Sequence, residues 1–506
     1  MTARIFAALL ALTLIFRAWL AWAFPISGDE AYFIWWGWRP DWGFYDHPPM
    51  IGWWLAALST IGDTTMWLRL PSILQPALLA AAVYGVLPRL VPGVGDERRR
   101  WAAVLVLLAP ANVWNVFVTT DTPLIYFSVF SALAWLYAAR HDGWRSFTGY
   151  LLAGAFLAGA VLSKYFAAFL GFAYLIDVLQ RRNARAWLGL TLSYACTLPA
   201  LALMLWWNSE HCWANYMFNF VNRHGDAGWS LKTPLLYALT VLYVLTPPVL
   251  VLAWKQGRIR PASADFSNLH SLAWLAWLPF ALFAALSLVK QIGLHWLLSF
   301  APLALLWLAL RLPMNALRRL GVFFVGFAAV HIGAILLVSR LPLEVWNKTR
   351  LYDGIVLSFE YEAILKELAP YRQDWVWAMD GYSNAVTLGY NARRYVSVFG
   401  PGSSHARHDD ILTDFRALSG RNILILRKTE PQLDDYRPYF AHVAIDSFEV
   451  RGARFWRVKG ENFNYTAYRD RVLAPIRSKY YCIPAWLPQN ACYFCDRYFP
   501  LDSCRR

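Results

Sequence analysis

Charge is what this 506-residue chain has little of: Asp, Glu, Lys and Arg make up 16% of it, against 58% hydrophobic residues. A soluble globular chain holds about 45–50% apolar residues and about 25% charged ones. An ordinary soluble domain is therefore excluded for most of the length. Acidic residues are the scarcer sign, 32 against 47 basic, giving a formal net charge of +15. No recognition motif accompanies that positive charge, so no nucleic acid is read as a partner. A Gly-rich nucleotide-binding loop is also missing, which removes the usual cradle for a nucleotide phosphate. There is no internal repeat of the kind that builds two-halved transporters, and no low-complexity linker.

What is present is a series of apolar blocks long enough to cross a bilayer as helices. We count about eleven, near 5–24, 70–88, 101–118, 123–139, 147–163, 165–179, 186–206, 233–253, 270–289, 296–310 and 320–338. Met1 to Phe24 is read as a retained first span rather than a cleaved leader, because its apolar run is long and Arg17 interrupts it. Basic residues follow every second block: Arg89 with Arg98 to Arg100, Arg140 with Arg145, Arg181 with Arg182 and Arg185, Lys255 with Arg258 and Arg260, and Arg311 with Arg318 and Arg319. By the positive-inside rule these loops and the N-terminus are cytoplasmic. The opposite loops then lie outside: 27–50, 119–123, 163–165, 206–232 and 290–296. Outside the tail, they hold nearly all the polar groups suited to chemistry.

After residue 340 the composition becomes that of a soluble domain. Segments 375–380, 422–428 and 442–450 read as strands, and 360–369 as an amphipathic helix with Ile364, Leu365 and Leu368 on one face. The expected architecture is a polytopic α-helical membrane module over 1–340, followed by an extracytoplasmic α/β domain over 341–506. Cys482, Cys492, Cys495 and Cys504 cluster in that tail. An oxidising compartment favours disulfides among them over a zinc site, with three pairings open. Cys196 lies inside a span, and Cys212 in an outer loop has no evident partner.

Among the outer residues, Asp29 and Glu30 come directly after the first span. The aromatic stretch behind them, Trp35, Trp36, Trp38 and Trp42 with Tyr32, Phe33, Phe44 and Tyr45, is expected to lie at the membrane interface. A carboxylate there can take a proton from an acceptor hydroxyl. Asp46 and His47 precede Pro48 and Pro49; they read as a polar turn, a phosphate contact through His47, or a divalent-metal site shared by the two. Asp121 in TTDTP reads as a helix cap or as a second functional acid. Lys164 in the shortest outer turn reads as a snorkelling lysine or a holder of lipid phosphate. Arg17, inside a span, is a functional-site candidate because a charge there is costly. Arg69, Arg223 and His295 complete the set of substrate-binding candidates near the outer face.

These motifs resemble the GT-C glycosyltransferases, in particular the protein O-mannosyltransferases and the lipid A aminoarabinose transferases of bacteria. The resemblance covers roughly residues 1–340 and rests on Asp29-Glu30, FYDHPPMIGW (44–53), WLRLPSIL (67–74), TTDTPLIYF (119–127) and GAVLSKYFAAFL (159–170), taken in order and on one side. It implies inverting transfer of a sugar from a polyprenyl-phosphate carrier to an extracytoplasmic lipid A, other envelope glycan or protein, in the inner membrane of a bacterium. It makes Asp29 the catalytic carboxylate and Asp121 the second acid. Glu30, Tyr45, His47, Lys164, Arg17, Arg69, Arg223 and His295 are the residues expected around the substrates. One departure stands out: the aminoarabinose transferases commonly carry Lys where this chain has His47. That lysine is linked to donor phosphate, so here the contact is weaker, pH-dependent, or shifted to Lys164, Arg17 or Arg223. No cofactor is firmly implied; a divalent metal at Asp46 and His47 stays open. The rival reading is a transporter or lipid flippase, which tends to place ionisable groups at the midplane rather than at one interface.

Overall fold

The computed structural model describes residues 1–224, 228–258, 267–403, 405, 407–488, 490–500 and 504. Arg260 of the basic loops and the 225–227 stretch of the long outer loop lie outside the described residues. The chain divides into two compact units. The first comprises Met1–Phe24, Leu58–Leu203 and Ala227–Ser339; the second comprises Pro25–Ala57, Met204–Asp226 and Arg340–Arg506.

Six helices among the described residues are long and apolar enough to cross a membrane: α1 (Ala3–Ala23), Thr65–Leu90, α3 (Asp121–Arg140), Ala184–Glu210, His270–Ser287 and Met314–Val338. Lys232–Leu245 and Pro247–Gly257 make a seventh if counted as one span, bent by 91°. Pro247 has no amide hydrogen to continue the first helix, and Thr246 before it sits at φ +67°. Other apolar blocks form shorter helices. The run read as 101–118 gives Asp96–Leu107 and then Pro110–Trp114, broken where Pro110 starts anew. The run read as 296–310 yields Ala301–Arg311 after a short turn.

The second unit holds a five-stranded sheet in the order β2-β1-β3-β5-β4. Its strands are β1 (Trp375–Met379), β2 (Ser397–Val398), β3 (Asn422–Arg427), β4 (Phe440–Val450) and β5 (Ala453–Phe463). β1 runs parallel to β2 and β3, and β5 antiparallel to β3 and β4. Ile423 and Ile425 of β3 enter one apolar cluster with Phe399, Val458 and Phe463. Leu424 and Leu426 enter the cluster on the other face, with Trp377, Met379 and Phe455. Both faces are covered, which is why the strand reads as an unbroken apolar run. The expected strands 375–380, 422–428 and 442–450 and the helix at 360–369 correspond to β1, β3, β4 and Tyr361–Leu368. β5 is an addition: Arg454, Arg457, Lys459 and Glu461 mask its alternation. It is joined to β4 by Arg451 and Gly452, both at positive φ, as a two-residue hairpin turn of the primed type requires.

The cysteines differ from expectation. Cys212 pairs with Cys492, and Cys495 with Cys504, while Cys196 and Cys482 stand outside any disulfide. The first pair is separated by 280 residues, a proximity that spacing within the tail cannot reveal. Thiol labelling of the denatured, unreduced protein is expected to mark only Cys196 and Cys482; labelling at Cys212 before reduction would contradict this pairing.

Candidate active site

Helix α2 (Gly28–Trp38) opens on a capping box: Ser27 Oγ accepts from the Glu30 amide at 3.3 Å, and Glu30 Oε2 accepts from the Ser27 amide at 3.2 Å. Glu30 also accepts from Ser27 Oγ at 3.0 Å and is fully buried. It holds the helix start rather than facing a substrate, a correction to its expected role. Asp29 stays exposed beside it, at the positive end of the helix dipole. Its Oδ1 accepts from the Tyr382 hydroxyl at 3.1 Å.

The aromatic face of α2 does not lie open to lipid. Residues Glu30 to Gly37 are buried, packed by helix α4 (Tyr382–Ala392) and its surroundings. Trp38 stacks on Tyr390 with ring centroids 5.7 Å apart, and Trp35 meets Tyr395 edge-on at 5.6 Å. The expectation of a helix resting on the membrane surface is therefore corrected: the aromatics of α2 are spent on protein packing, and Trp42 beyond the helix stays exposed.

Asp46 is buried and accepts from the Tyr32 hydroxyl at 3.1 Å. The rings of Tyr32 and Tyr382 lie 5.4 Å apart, edge to face, so neighbouring tyrosines serve the two acids. Burial pushes the Asp46 carboxyl up to about 7, against the Tyr32 hydrogen bond; nearby Asp29 pushes it further up and Arg223 draws it down. A raised folded-state pKa means that the protonated form stabilises the fold. That contribution is complete below the usual value of 3.8 and is lost as pH rises through about 7. Asp46→Asn, which stays neutral, is expected to gain thermal stability on the wild type across that window, measured as Tm at successive pH values. A constant difference from pH 4 to 8 would refute it.

Other expected residues of this unit are placed differently. Tyr45 is fully buried, near Phe218 at 5.7 Å and Tyr481 at 6.4 Å, so it belongs to the core and not to a substrate surface. His47 is half-buried, with Phe33 and Trp36 rings 6.1 and 6.3 Å away. Arg223 lies over Phe218 at 5.6 Å. Among the described residues, Cys492, Cys495 and Cys504 are the group of three or more His, Cys, Asp or Glu side chains close enough together for a metal. Those sulfurs are engaged in the disulfides.

The first unit has its own polar centre. Asp121 opens α3, and its two carboxylate oxygens accept from Lys164 Nζ at 2.9 and 3.0 Å. Both side chains are buried; His295 Nε2 lies 3.9 Å from Asp121 and is half-exposed. Asp121 is thus an ion-pair partner rather than a cap. Arg17 is 1% exposed. Its guanidinium donates to four backbone carbonyls: Ile73 at 3.0 Å, Asn115 at 2.8 Å, and Asn112 and Ser72. Arg69 is fully buried and donates to the Ala21 and Phe24 carbonyls, each at 2.7 Å. The cost of a charge in a span is offset where the guanidinium satisfies carbonyls, several of them left over at helix ends and opposite a proline, as Ser72 is opposite Pro76. Both arginines tie backbone segments together, Arg17 where a phosphate contact and Arg69 where a substrate contact was expected.

Sequence reasoning did not single out Tyr32 as a partner of Asp46, or Tyr382, Arg407, His408, Asp409 and Asp410 of the tail. Arg407 Nε donates to Asp410 at 2.6 Å, Tyr395 donates to Asp409, and burial pushes His408 down to about 3. The density of titratable residues in HARHDD (405–410) was the available signal.

Residues 46–207 match the family of dolichyl-phosphate-mannose-protein mannosyltransferases. A lipid A galacturonosyltransferase, RgtD from Rhizobium johnstonii, is 26% identical over 281 residues, 53% of this chain. The match spans 56% of that relative's length. The crystal structure of ArnT from Cupriavidus metallidurans bound to undecaprenyl phosphate superposes with a TM-score of 0.64 at 13% identity, covering 90% of this chain and 98% of that one. The apo form gives 0.62 at 14% identity, over 89% and 97%. The fold is that of ArnT, and these relatives fit the GT-C superfamily that the motifs resemble.

Proposed function

We propose that this chain, with its GT-C fold, is a glycosyltransferase that moves a sugar from a polyprenyl-phosphate carrier to an extracytoplasmic acceptor, with inversion at the sugar carbon. Lipid A is the acceptor we favour, since the curated relative acts on lipid A. The observation that carries the reading is Asp29, an exposed carboxylate fixed at the start of a buried helix by a tyrosine hydroxyl.

The chemistry asks little covalent work of the protein. A lipid phosphate leaves readily once its charge is held, so donor and acceptor must be positioned, the phosphate neutralised and one proton removed. Asp29 takes the acceptor hydroxyl proton. Lys164, paired with Asp121, supplies positive charge to the carrier phosphate, with Arg223 and His47 as secondary contacts. Asp46, pushed up to about 7 by burial, is protonated at mildly acidic pH, where it is unsuited to be the base and serves as a neutral hydrogen-bonding partner. The chain is assigned to the inner membrane of a bacterium, crossing about eleven times, with a cytoplasmic N-terminus and the 341–506 domain on the outer side.

Mass spectrometry of lipid A and envelope glycans, from cells with and without the protein, tests acceptor and sugar together. Loss of one sugar mass from lipid A is expected; unchanged lipid A with an altered glycan or protein moves the acceptor.

A further inference from the structure

We propose that Tyr382, supplied by the tail domain, is a positioning residue for Asp29: it fixes the carboxylate rotamer from which the acceptor proton is taken. The inference rests on the reading of Asp29 as the base and deepens it, because it gives the tail a part in the transfer itself.

Three observations carry it. First, the Tyr382 hydroxyl donates to Asp29 Oδ1 at 3.1 Å. Among the described residues this is the one side-chain hydrogen bond recorded for Asp29. An exposed Asp in the first turn of a helix otherwise samples several rotamers, and reacting groups displaced by about an ångström can lose 10²-fold in rate. Second, the approach of the two helices is built in. A Cβ on Gly28 would collide with the Ser383 side chain, its Cβ at 2.9 Å, and would press on the Ser383 backbone at 3.2 Å. Only glycine at position 28 lets the start of α4 sit over the start of α2, and Tyr382 is the neighbour of Ser383. Third, the phenol ring is held from the side by Tyr32, whose own hydroxyl is committed to Asp46. Burial, followed by the charges of Asp29 and Asp46, raises the Tyr382 pKa, so the hydroxyl remains a donor at every working pH.

The test is steady-state kinetics of the full-length, detergent-solubilised protein with undecaprenyl-phosphate-linked galacturonic acid or aminoarabinose as donor and lipid A as acceptor, following released undecaprenyl phosphate. Tyr382→Phe removes only the hydroxyl. It is expected to lower kcat about tenfold, as loss of a charge-assisted hydrogen bond does, with an unchanged KM for donor and an unchanged Tm. In an Asp29→Asn background the same substitution is expected to add less than twofold. Gly28→Ala is expected to reproduce the loss, and Gly28→Ala with Ser383→Gly to recover part of it. A Tyr382→Phe protein with wild-type kcat overturns the inference, as does an equal loss in both backgrounds, which marks a structural role. A wild type that releases no carrier phosphate from either donor overturns the transfer reading, and the inference with it; an active wild type with an unaffected Tyr382→Phe overturns the inference alone.

Discussion

Asp29→Asn is expected to lower turnover by roughly 10²–10⁴-fold, the usual worth of a general base, while the protein folds and inserts as before. The substitution is nearly isosteric. Asp29 is exposed and takes no part in the capping box, which belongs to Ser27 and Glu30. An amide oxygen can still accept from Tyr382, so the helix start loses no partner. What disappears is the ability to take a proton. Glu30→Gln provides the contrast. It weakens a buried cap, worth about 0.5–2 kcal/mol in ordinary helices, so its expected loss is in stability before it is in kcat. Turnover and Tm measured for both variants separate the roles. Near-normal turnover in Asp29→Asn would remove it from the chemistry.

Lys164→Ala is expected to fail in two separable ways. Lys164 and Asp121 are both buried and joined at 2.9 and 3.0 Å. Removing one partner strands the other charge, at a cost of about 3–5 kcal/mol. On the proposed function, removing the ammonium also takes away a charge-assisted contact to the carrier phosphate, about 10–150-fold in donor use. A double variant, Lys164→Met with Asp121→Leu, distinguishes the effects, because replacing a whole buried pair with apolar residues is commonly neutral for stability. The double variant is expected to recover most of the lost Tm and none of the donor use. Donor-dependent kinetics and thermal unfolding, measured on the same preparations, decide it. A double variant that recovers activity would make the pair purely structural.

Much of the fold was legible because hydrophobic runs report their surroundings directly. The apolar run Ile423–Leu426 of β3 and the amphipathic helix at 361–368 show burial on two faces and on one, respectively. β5 was not legible: its outward residues are charged, and its partner strands give it meaning only once the sheet is assembled. The site was legible where motifs are local. Asp29, Asp121 and the Asp46-His47 turn each sit in a short sequence pattern. Pairings across long separations were not, which is why Cys212 with Cys492, Asp121 with Lys164 and Asp29 with Tyr382 had to come from the structure. Arg17 shows a different limit. A costly charge in a span was read as a site, yet four carbonyls account for it. The carbonyls of Asn112 and Asn115 come from the broken stretch around Pro110, a break that a count of apolar residues treats as one continuous span. Glu30 was the reverse case: the Ser27…Glu30 spacing of a capping box was present in the sequence, and the neighbouring Asp29 drew it into the functional set.

The most direct measurement of the account is release of free undecaprenyl phosphate by the purified protein from an undecaprenyl-phosphate-linked sugar, followed with and without lipid A. The account predicts acceptor-dependent release, equimolar with sugar gained by lipid A, and loss of both signals together in Asp29→Asn. Movement of intact carrier lipid across a vesicle membrane without release of phosphate would contradict it and favour a flippase.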